Sequence, residues 1–203
     1  MPSREIQTAR NDLRRSLARW ALGNADTSEW VGIADRLTTL GVDTPVLIEL
    51  VVNEAVTVEH EAQTARTLVS ELRLQPDSLL EPRIAAQVLG VENASQLLRM
   101  PPNIAMHRHV HAWLYQESGW DGWADRTANE RGCSLTDAMD EAGLGWLYGA
   151  EYVLDEVVFN GRTDFVYGDI GSWRLSARDA ADWVKQQAAA FIERVPEVVK
   201  GPA

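Results

Sequence analysis

The stretch Ile6–Ala21, with the sequence IQTARNDLRRSLARWA, decides the class of fold. Its apolar residues recur every three or four positions and form one stripe: Ile6, Ala9, Leu13, Leu17, Trp20 and Ala21. This period is that of an α-helix with one buried face, and Gly23 just after it is typical of a helix end. The same spacing returns over residues 30–40 and 57–72. The sequence therefore predicts a mainly α-helical protein built as a multi-helix array.

Two segments between these stripes carry more specific expectations. Residues 46–52 are apolar on nearly every face and are predicted to form a central helix that starts with Pro45 after the N-cap Thr44. Thr57 is predicted to open the next helix, with Val58 on its buried stripe. Capping-box patterns predict other helix starts: Asp26 with Glu29, Ser134 with Asp137, and Ser176 with Asp179.

The chain divides in composition near residues 100–103. Two of its 15 aromatic residues lie before that point and the other 13 lie after it. We expect an aliphatic helical sub-domain over residues 1–100 and an aromatic-rich one over 103–203, either separate or packed as one domain. Within the first, residues 82–89 are predicted to form a short helix that Gly90 ends.

Two segments of the second region fit either a helix or a strand. Asn103 is a suitable N-cap for a helix over residues 104–115, yet apolar residues there also alternate as in a strand. The capping residue and the helical neighbours favour the helix. Asn160 and Gly161 either end the preceding helix or turn a small β-hairpin over residues 157–167.

Charge limits the classes of partner. The formal net charge is −11, from 30 acidic and 19 basic residues. Such a charge opposes binding to a phosphate backbone or an anionic membrane unless bases gather on one face. The arginines that come closest to forming a basic cluster are spread around one predicted helix: Arg4, Arg10, Arg14, Arg15 and Arg19. No apolar run reaches the roughly 20 residues of a membrane span. We therefore expect no nucleic acid and no membrane among the partners.

The cysteine content and the first residues indicate a compartment. The chain has one cysteine, Cys133, which cannot form an internal disulfide. Its first five residues lack the apolar core of a signal peptide. Both features predict a cytoplasmic protein in a reducing environment.

Three of the four histidines lie within residues 106–111. On a helix, His107 and His111 share one face at the four-residue spacing that lets two imidazoles bind one metal ion. Glu151 and Asp155, also four apart, could supply carboxylate ligands. These four residues form a candidate site for a divalent metal ion, which would be the cofactor of an enzyme.

A second candidate site lies in and just after the possible β-hairpin. Arg162, Asp169, Trp173 and Arg174 surround a glycine-bounded loop, and such loops often bind ligands. The two arginines could hold a phosphate or carboxylate with paired hydrogen bonds. The glycine spacing matches no phosphate-binding motif.

A third candidate is a tryptophan group: Trp113, Trp120 and Trp123. Glycine and aspartate separate the last two rings, which makes complete burial difficult. Exposed tryptophan is enriched at the centres of protein interfaces. The alternative is that the three rings fill the core of the second region.

Two functions follow from these features. The first is an acidic helical module for protein interaction or regulation that neutralises a partner with a basic surface. In composition alone it resembles immunity proteins and antitoxins, which are small and acidic, and acidic charge would speed such association. The alternative is a small metal-dependent hydrolase acting on a phosphorylated or otherwise anionic small molecule.

Overall fold

The computed structural model describes residues 3–24, 27–117, 120–162, 164–166 and 172–200. For residues 116–117, 120–121, 135–136, 164–166 and 172–173, only the backbone is described. The described chain forms a mainly α-helical array, as predicted, with eleven α-helices and one short two-stranded ribbon. The helices of the first part are α1 (Arg4–Ala21), α2 (Ser28–Thr39), α3 (Pro45–Asn53), α4 (Glu61–Glu71) and α5 (Pro82–Arg99).

The second part contains two π-helical segments as well as α-helices. Its elements are α6 (Ile104–Ala112) with the π-helical segment Trp113–Glu117, α7 (Trp120–Arg131), α8 (Leu135–Glu141), α9 (Trp146–Leu154) with the π-helical segment Asp155–Phe159, β1 (Asp164–Val166), β2 (Ser172–Arg174), α10 (Ala177–Arg194) and α11 (Glu197–Lys200). None of the helices in the described ranges is long and apolar enough to cross a membrane.

Backbone contacts divide the chain into two compact units. The first unit contains Met1–Leu89 and Glu197–Ala203, and the second contains Gly90–Pro196. In the first unit, α2 packs on α1 and α3, and α3 also contacts α4. In the second unit, α6 and α10 both pack on α9. The division falls inside α5.

The pair α1 and α2 shows how the first unit is joined. The predicted stripe of α1 is buried at Ala9, Leu13 and Leu17. Glu29 of α2 accepts hydrogen bonds from Ser16 Oγ at 2.8 Å and from Arg19 Nη2 at 2.6 Å. The carboxylate of Glu29 therefore joins α2 to α1. Thr27 is at the N-cap position, and the predicted capping box of Asp26 with Glu29 lies partly outside the described residues, because Asp26 is not among them.

The helix α3 begins with Pro45 as predicted, but it is not central. Its buried residues are Val46, Leu47 and Leu50, whereas Ile48 is 50% exposed and Val52 72% exposed. Its contacts come mainly from α2 and α4, which cover one side of a helix that is apolar on nearly every side. The prediction of a central helix was wrong, because an apolar sequence does not determine how many neighbours a helix has.

The next helix begins at Glu61 and not at Thr57. Thr57 Oγ1 and His60 Nδ1 form a hydrogen bond of 2.7 Å, and the Thr57 carbonyl accepts from the His60 and Glu61 amides. These bonds build a turn before α4, in the way that threonine side chains compete with helix formation. Val58, expected on the buried stripe, is 83% exposed.

Gly90 lies inside α5 and does not end a helix. A Cβ atom at this position would stand 2.8 Å from Phe191 Cζ and 3.1 Å from Leu144 Cδ2. The glycine is needed because these two side chains pack directly against the helix backbone. The prediction of a short helix over 82–89 was wrong. Glycine is found both at helix ends and where side chains pack closely on a helix backbone, and the sequence does not separate the two cases.

The segment that fitted helix or strand is helical. Asn103 caps α6, since its side chain accepts a hydrogen bond of 2.9 Å from the Ala105 amide. The predicted capping boxes at Ser134 and Ser176 are both present.

Of the two alternatives for Asn160 and Gly161, the helix end applies, and only the second strand of the possible hairpin over residues 157–167 is present. Residues 155–159 are π-helical, and Gly161 follows their end with a φ of +67°. The ribbon instead pairs β1 with β2, with Phe165 opposite Trp173.

Candidate functional site

The four predicted metal ligands lie close together in the second unit. α6 carries the two histidines and packs on α9 and its π-helical end, which carry the two acids. His107 Nε2 lies 3.4 Å from Asp155 Oδ1, and His111 Nδ1 lies 3.3 Å from Glu151 Oε1. The four-residue spacing on both helices thus produces two parallel imidazole–carboxylate pairs.

Aromatic rings continue the row of imidazoles in both directions. The ring centroids of His107 and His111 are 6.0 Å apart, and those of His107 and Phe159 are 5.4 Å apart, both stacked. Tyr115 lies 4.9 Å from His111 at the other end. Phe159 is 63% exposed and Tyr115 48% exposed, so the row reaches solvent at both ends.

His107 is the buried member of this row. It is 8% exposed, and neither ring nitrogen has a hydrogen-bond partner among the residues that the structure describes. Its contact with Asp155 has the distance of an ion pair without the geometry of a hydrogen bond. Asp155 begins a π-helical segment, and π-helical turns are frequent at functional sites.

The geometry favours two separate pairs over one metal centre. A metal ion needs three or more ligand atoms converging at about 2 Å from one point. Within the described ranges, no group of three or more His, Cys, Asp or Glu side chains is arranged to hold a metal ion. In this structure the two pairs join α6 to α9 and its π-helical end.

The tryptophan group is largely buried. Trp113 is fully buried and Trp123 is 8% exposed, and Trp113 packs edge-on against Trp146 at a centroid distance of 5.8 Å. Trp120 lies at the start of α7, and its side chain is outside the described part. The expectation of an exposed patch was wrong for Trp113 and Trp123, because the second unit uses these rings as core.

The loop candidate is only partly described. Arg162 is exposed and forms an ion pair of 3.0 Å with Glu156 Oε2. Arg174 is exposed and lies in β2, where its backbone pairs with Asp164. The prediction for Asp169 falls outside the described residues, and only the backbone of Trp173 is described.

A surface that the sequence reasoning missed lies in the first unit. Ile48 and Val52, four residues apart on α3, share an exposed apolar face. A groove of about 340 Å³ lies on another side of the same helix, and its lining includes Glu49, Asn53 and His60. We call Ile48, Val52 and the exposed acids of this chain segment the acidic α3 surface.

The sequence around this surface is uniformly acidic. Residues 37–65 contain five acidic residues and no lysine or arginine: Asp43, Glu49, Glu54, Glu59 and Glu61. All of these except Glu61 are exposed. This run without basic residues is a sequence signal for an acidic surface, but the apolar segment inside it predicts burial.

Comparison of the chain with known protein families, curated proteins and solved structures finds no match. Function is therefore inferred from the contacts, burial and charges of the described residues.

Proposed function

We propose that this protein is an interaction module that binds a basic protein partner through the acidic α3 surface. The observation that carries the proposal is the exposure of Ile48 and Val52, at 50% and 72%, on a helix that is otherwise apolar. Two large aliphatic side chains at four-residue spacing form the kind of stripe against which an amphipathic helix packs. Among the described residues of the first unit, none packs over the exposed sides of these two side chains.

Charge supports a basic partner. Glu49, Glu54 and Glu59 are exposed in the same chain segment as the apolar stripe, and this segment is free of lysine and arginine. Carboxylates at the rim of an apolar patch attract cationic side chains and raise the rate of association at low salt. The net charge of −11 acts in the same direction. A partner that presents an apolar stripe bordered by lysine or arginine fits this surface best.

The contact would be stabilised mainly by apolar burial. Fully burying an aliphatic side chain contributes about 1.5–3 kcal/mol, and each 1.4 kcal/mol changes affinity about tenfold. Loss of both Ile48 and Val52 is therefore expected to weaken binding by at least about tenfold. The acids contribute chiefly to the association rate and to partner choice. Neutralising such a partner, as immunity proteins and antitoxins do, is the biological role that we propose for the module.

The test uses a designed amphipathic helical peptide with a leucine stripe and lysine on its other faces. Fluorescence anisotropy at low salt should show binding to the wild-type protein, and weaker binding as salt is added. The double variant Ile48→Ser/Val52→Ser leaves net charge unchanged and should reduce affinity at least about tenfold. The double variant Glu49→Gln/Glu54→Gln should reduce the association rate and the salt dependence.

Two controls make the result specific. Val198→Ser changes another half-exposed aliphatic residue of the first unit and should leave affinity unchanged. A peptide with the same leucine stripe but glutamate in place of lysine should not bind. Equal binding by wild-type protein and the Ile48→Ser/Val52→Ser variant would show that α3 is not the contact surface.

A further inference from the structure

The groove of about 340 Å³ in the first unit lies on another side of α3 from Ile48 and Val52. Its floor is mainly apolar, and its rim is polar. The buried or half-buried lining residues are Val46, Leu50, Val56 and Thr64, and the exposed polar ones are Glu49, Asn53, Thr57 and His60. Sites for small molecules have this character, because an apolar cavity holds the ligand and a few polar groups fix its orientation.

The helix α3 supplies one wall of this groove through two rows of side chains. Val46 and Leu50 are four residues apart, and so are Glu49 and Asn53, so each pair lies on one line along the helix. The first pair is buried and belongs to the floor. The second pair is exposed and adds a carboxylate and an amide to the rim. An apolar row beside a polar row suits a ligand that has both characters.

The segment between α3 and α4 supplies the other wall. Glu54 is the C-cap of α3 with a left-handed φ of +54°, and Ala55 is the first lining residue after it. The hydrogen bond of 2.7 Å between Thr57 Oγ1 and His60 Nδ1 holds the imidazole at the rim. Thr64 of α4 adds a half-buried hydroxyl. This wall therefore presents an imidazole and two hydroxyls to the groove.

The charge of the groove selects a cation. Among the described residues that line it, Glu49 is the one carboxylate, and none is a lysine or an arginine. The surrounding residues 37–65 also contain no lysine or arginine. An ammonium group at the rim is therefore attracted, whereas an anion is repelled. The carboxylate of Glu49, the amide oxygen of Asn53 and the threonine hydroxyls are all groups that accept hydrogen bonds from an ammonium.

We propose that this groove binds a small molecule with a primary ammonium group beside a compact apolar body. The apolar body covers Val46 and Leu50, and the ammonium donates to Glu49 at the rim. Glu49 also belongs to the acidic α3 surface, but Ala55 does not, so a change at Ala55 tests the groove alone. The protein would thus carry a small-molecule site in addition to its proposed contact with a basic partner.

The test is a ligand-observed NMR titration of the full chain with phenethylamine at neutral pH. Phenylethanol and phenylpropionate carry the same ring with a hydroxyl or a carboxylate in place of the ammonium. Phenethylamine should bind with a Kd of about 1 mM or below. Phenylethanol should bind about two- to fivefold more weakly, the effect of losing an exposed ion pair. Phenylpropionate should bind more weakly still, because Glu49 repels its carboxylate.

Two variants locate the binding in the groove. Ala55→Phe fills the groove from an exposed position and should weaken phenethylamine binding at least about tenfold. Ala62→Phe changes an exposed alanine of α4 that is not among the lining residues, and should leave both affinity and melting temperature unchanged.

The charge has its own variant. Glu49→Gln should weaken phenethylamine binding about two- to fivefold and leave phenylethanol binding unchanged. No binding to the wild type, equal binding of the three compounds, or unchanged binding by a folded Ala55→Phe variant would overturn the proposal. Equal loss of phenethylamine and phenylethanol in Glu49→Gln would do the same. The titration contains no peptide, so its result does not depend on whether a basic partner binds at Ile48 and Val52.

Discussion

The helices α3 and α9 are about equally apolar and have opposite environments. Each is nine residues long, is apolar apart from a few side chains, and carries one glutamate. α9 buries five residues between α6 and α10, whereas α3 buries three and leaves Ile48 and Val52 exposed. The lesson is that neighbours and not composition determine burial. An apolar helix without a full set of neighbours is available to a partner.

The largest effect that tests this comparison is a change of stability. Leu147→Ala removes a fully buried side chain of α9 and should lower the free energy of unfolding by about 2–5 kcal/mol, because it leaves a cavity. Val52→Ala, at a position 72% exposed on α3, should change it by less than about 0.5 kcal/mol. Urea unfolding followed by tryptophan fluorescence measures both. Similar losses for the two variants would mean that Val52 is covered in solution.

Sequence reasoning predicted elements whose signals are local. The apolar stripe of α1, the Asn103 cap and the capping boxes at Ser134 and Ser176 depend on residues within one turn of each other. The proximity of the histidine and carboxylate pairs followed from their matching four-residue spacing. Spacing could not tell whether four side chains would share one centre or form two pairs, since that depends on how α6 lies against α9.

The wrong predictions share one cause. A residue type that is typical of a local structure can also be required by a contact with a distant part of the chain. The sequence predicts a helix end at Gly90, but the structure requires this glycine for the approach of Phe191 from α10. The apolar sequence of α3 predicts a core helix, because nothing local indicates how few neighbours it has. The end of α4 shows the reverse case: Arg73 has a φ of +47° where glycine is usual, and a helix end without glycine gives no local signal.

A medium effect concerns the start of α3. The Val46 amide donates to Glu71 Oε2 at 3.1 Å, so a carboxylate from α4 replaces the cap that Thr44 does not provide. Glu71→Ala should lower the free energy of unfolding by about 1.5–3 kcal/mol, the range for a hydrogen bond to a charged group. Hydrogen exchange should show the loss of protection first at the α3 amides. Glu49→Ala, an exposed glutamate on α3, is the matched control and should leave exchange unchanged.

The smallest expected effect concerns the N-terminus of α10, the helix that packs on α9. Ala180 of α10 packs in one apolar cluster with Val153 and Val157. Ser176 caps this helix, and its side-chain and backbone hydrogen bonds to Asp179 hold the pKa of that carboxyl below its ordinary value of 3.8. A lowered pKa in the folded state means that the ionised form stabilises folding. This contribution is complete above pH 3.8 and is lost as pH falls through the lowered folded-state pKa.

Ser176→Ala removes the N-cap hydroxyl of α10 and should cost about 1 kcal/mol at neutral pH, the usual effect of losing an N-cap serine. For a chain of this size that corresponds to a fall in melting temperature of about 2–4 °C. The difference between variant and wild type should shrink as pH falls below 3.8, because the protonated carboxyl of Asp179 no longer completes the capping box. Ser95→Ala is the control, since that hydroxyl donates to the Val91 carbonyl within α5 and involves no titrating group. A difference for Ser176→Ala that stays constant down to the acid unfolding of the protein would show that Asp179 does not contribute to the cap through its charge.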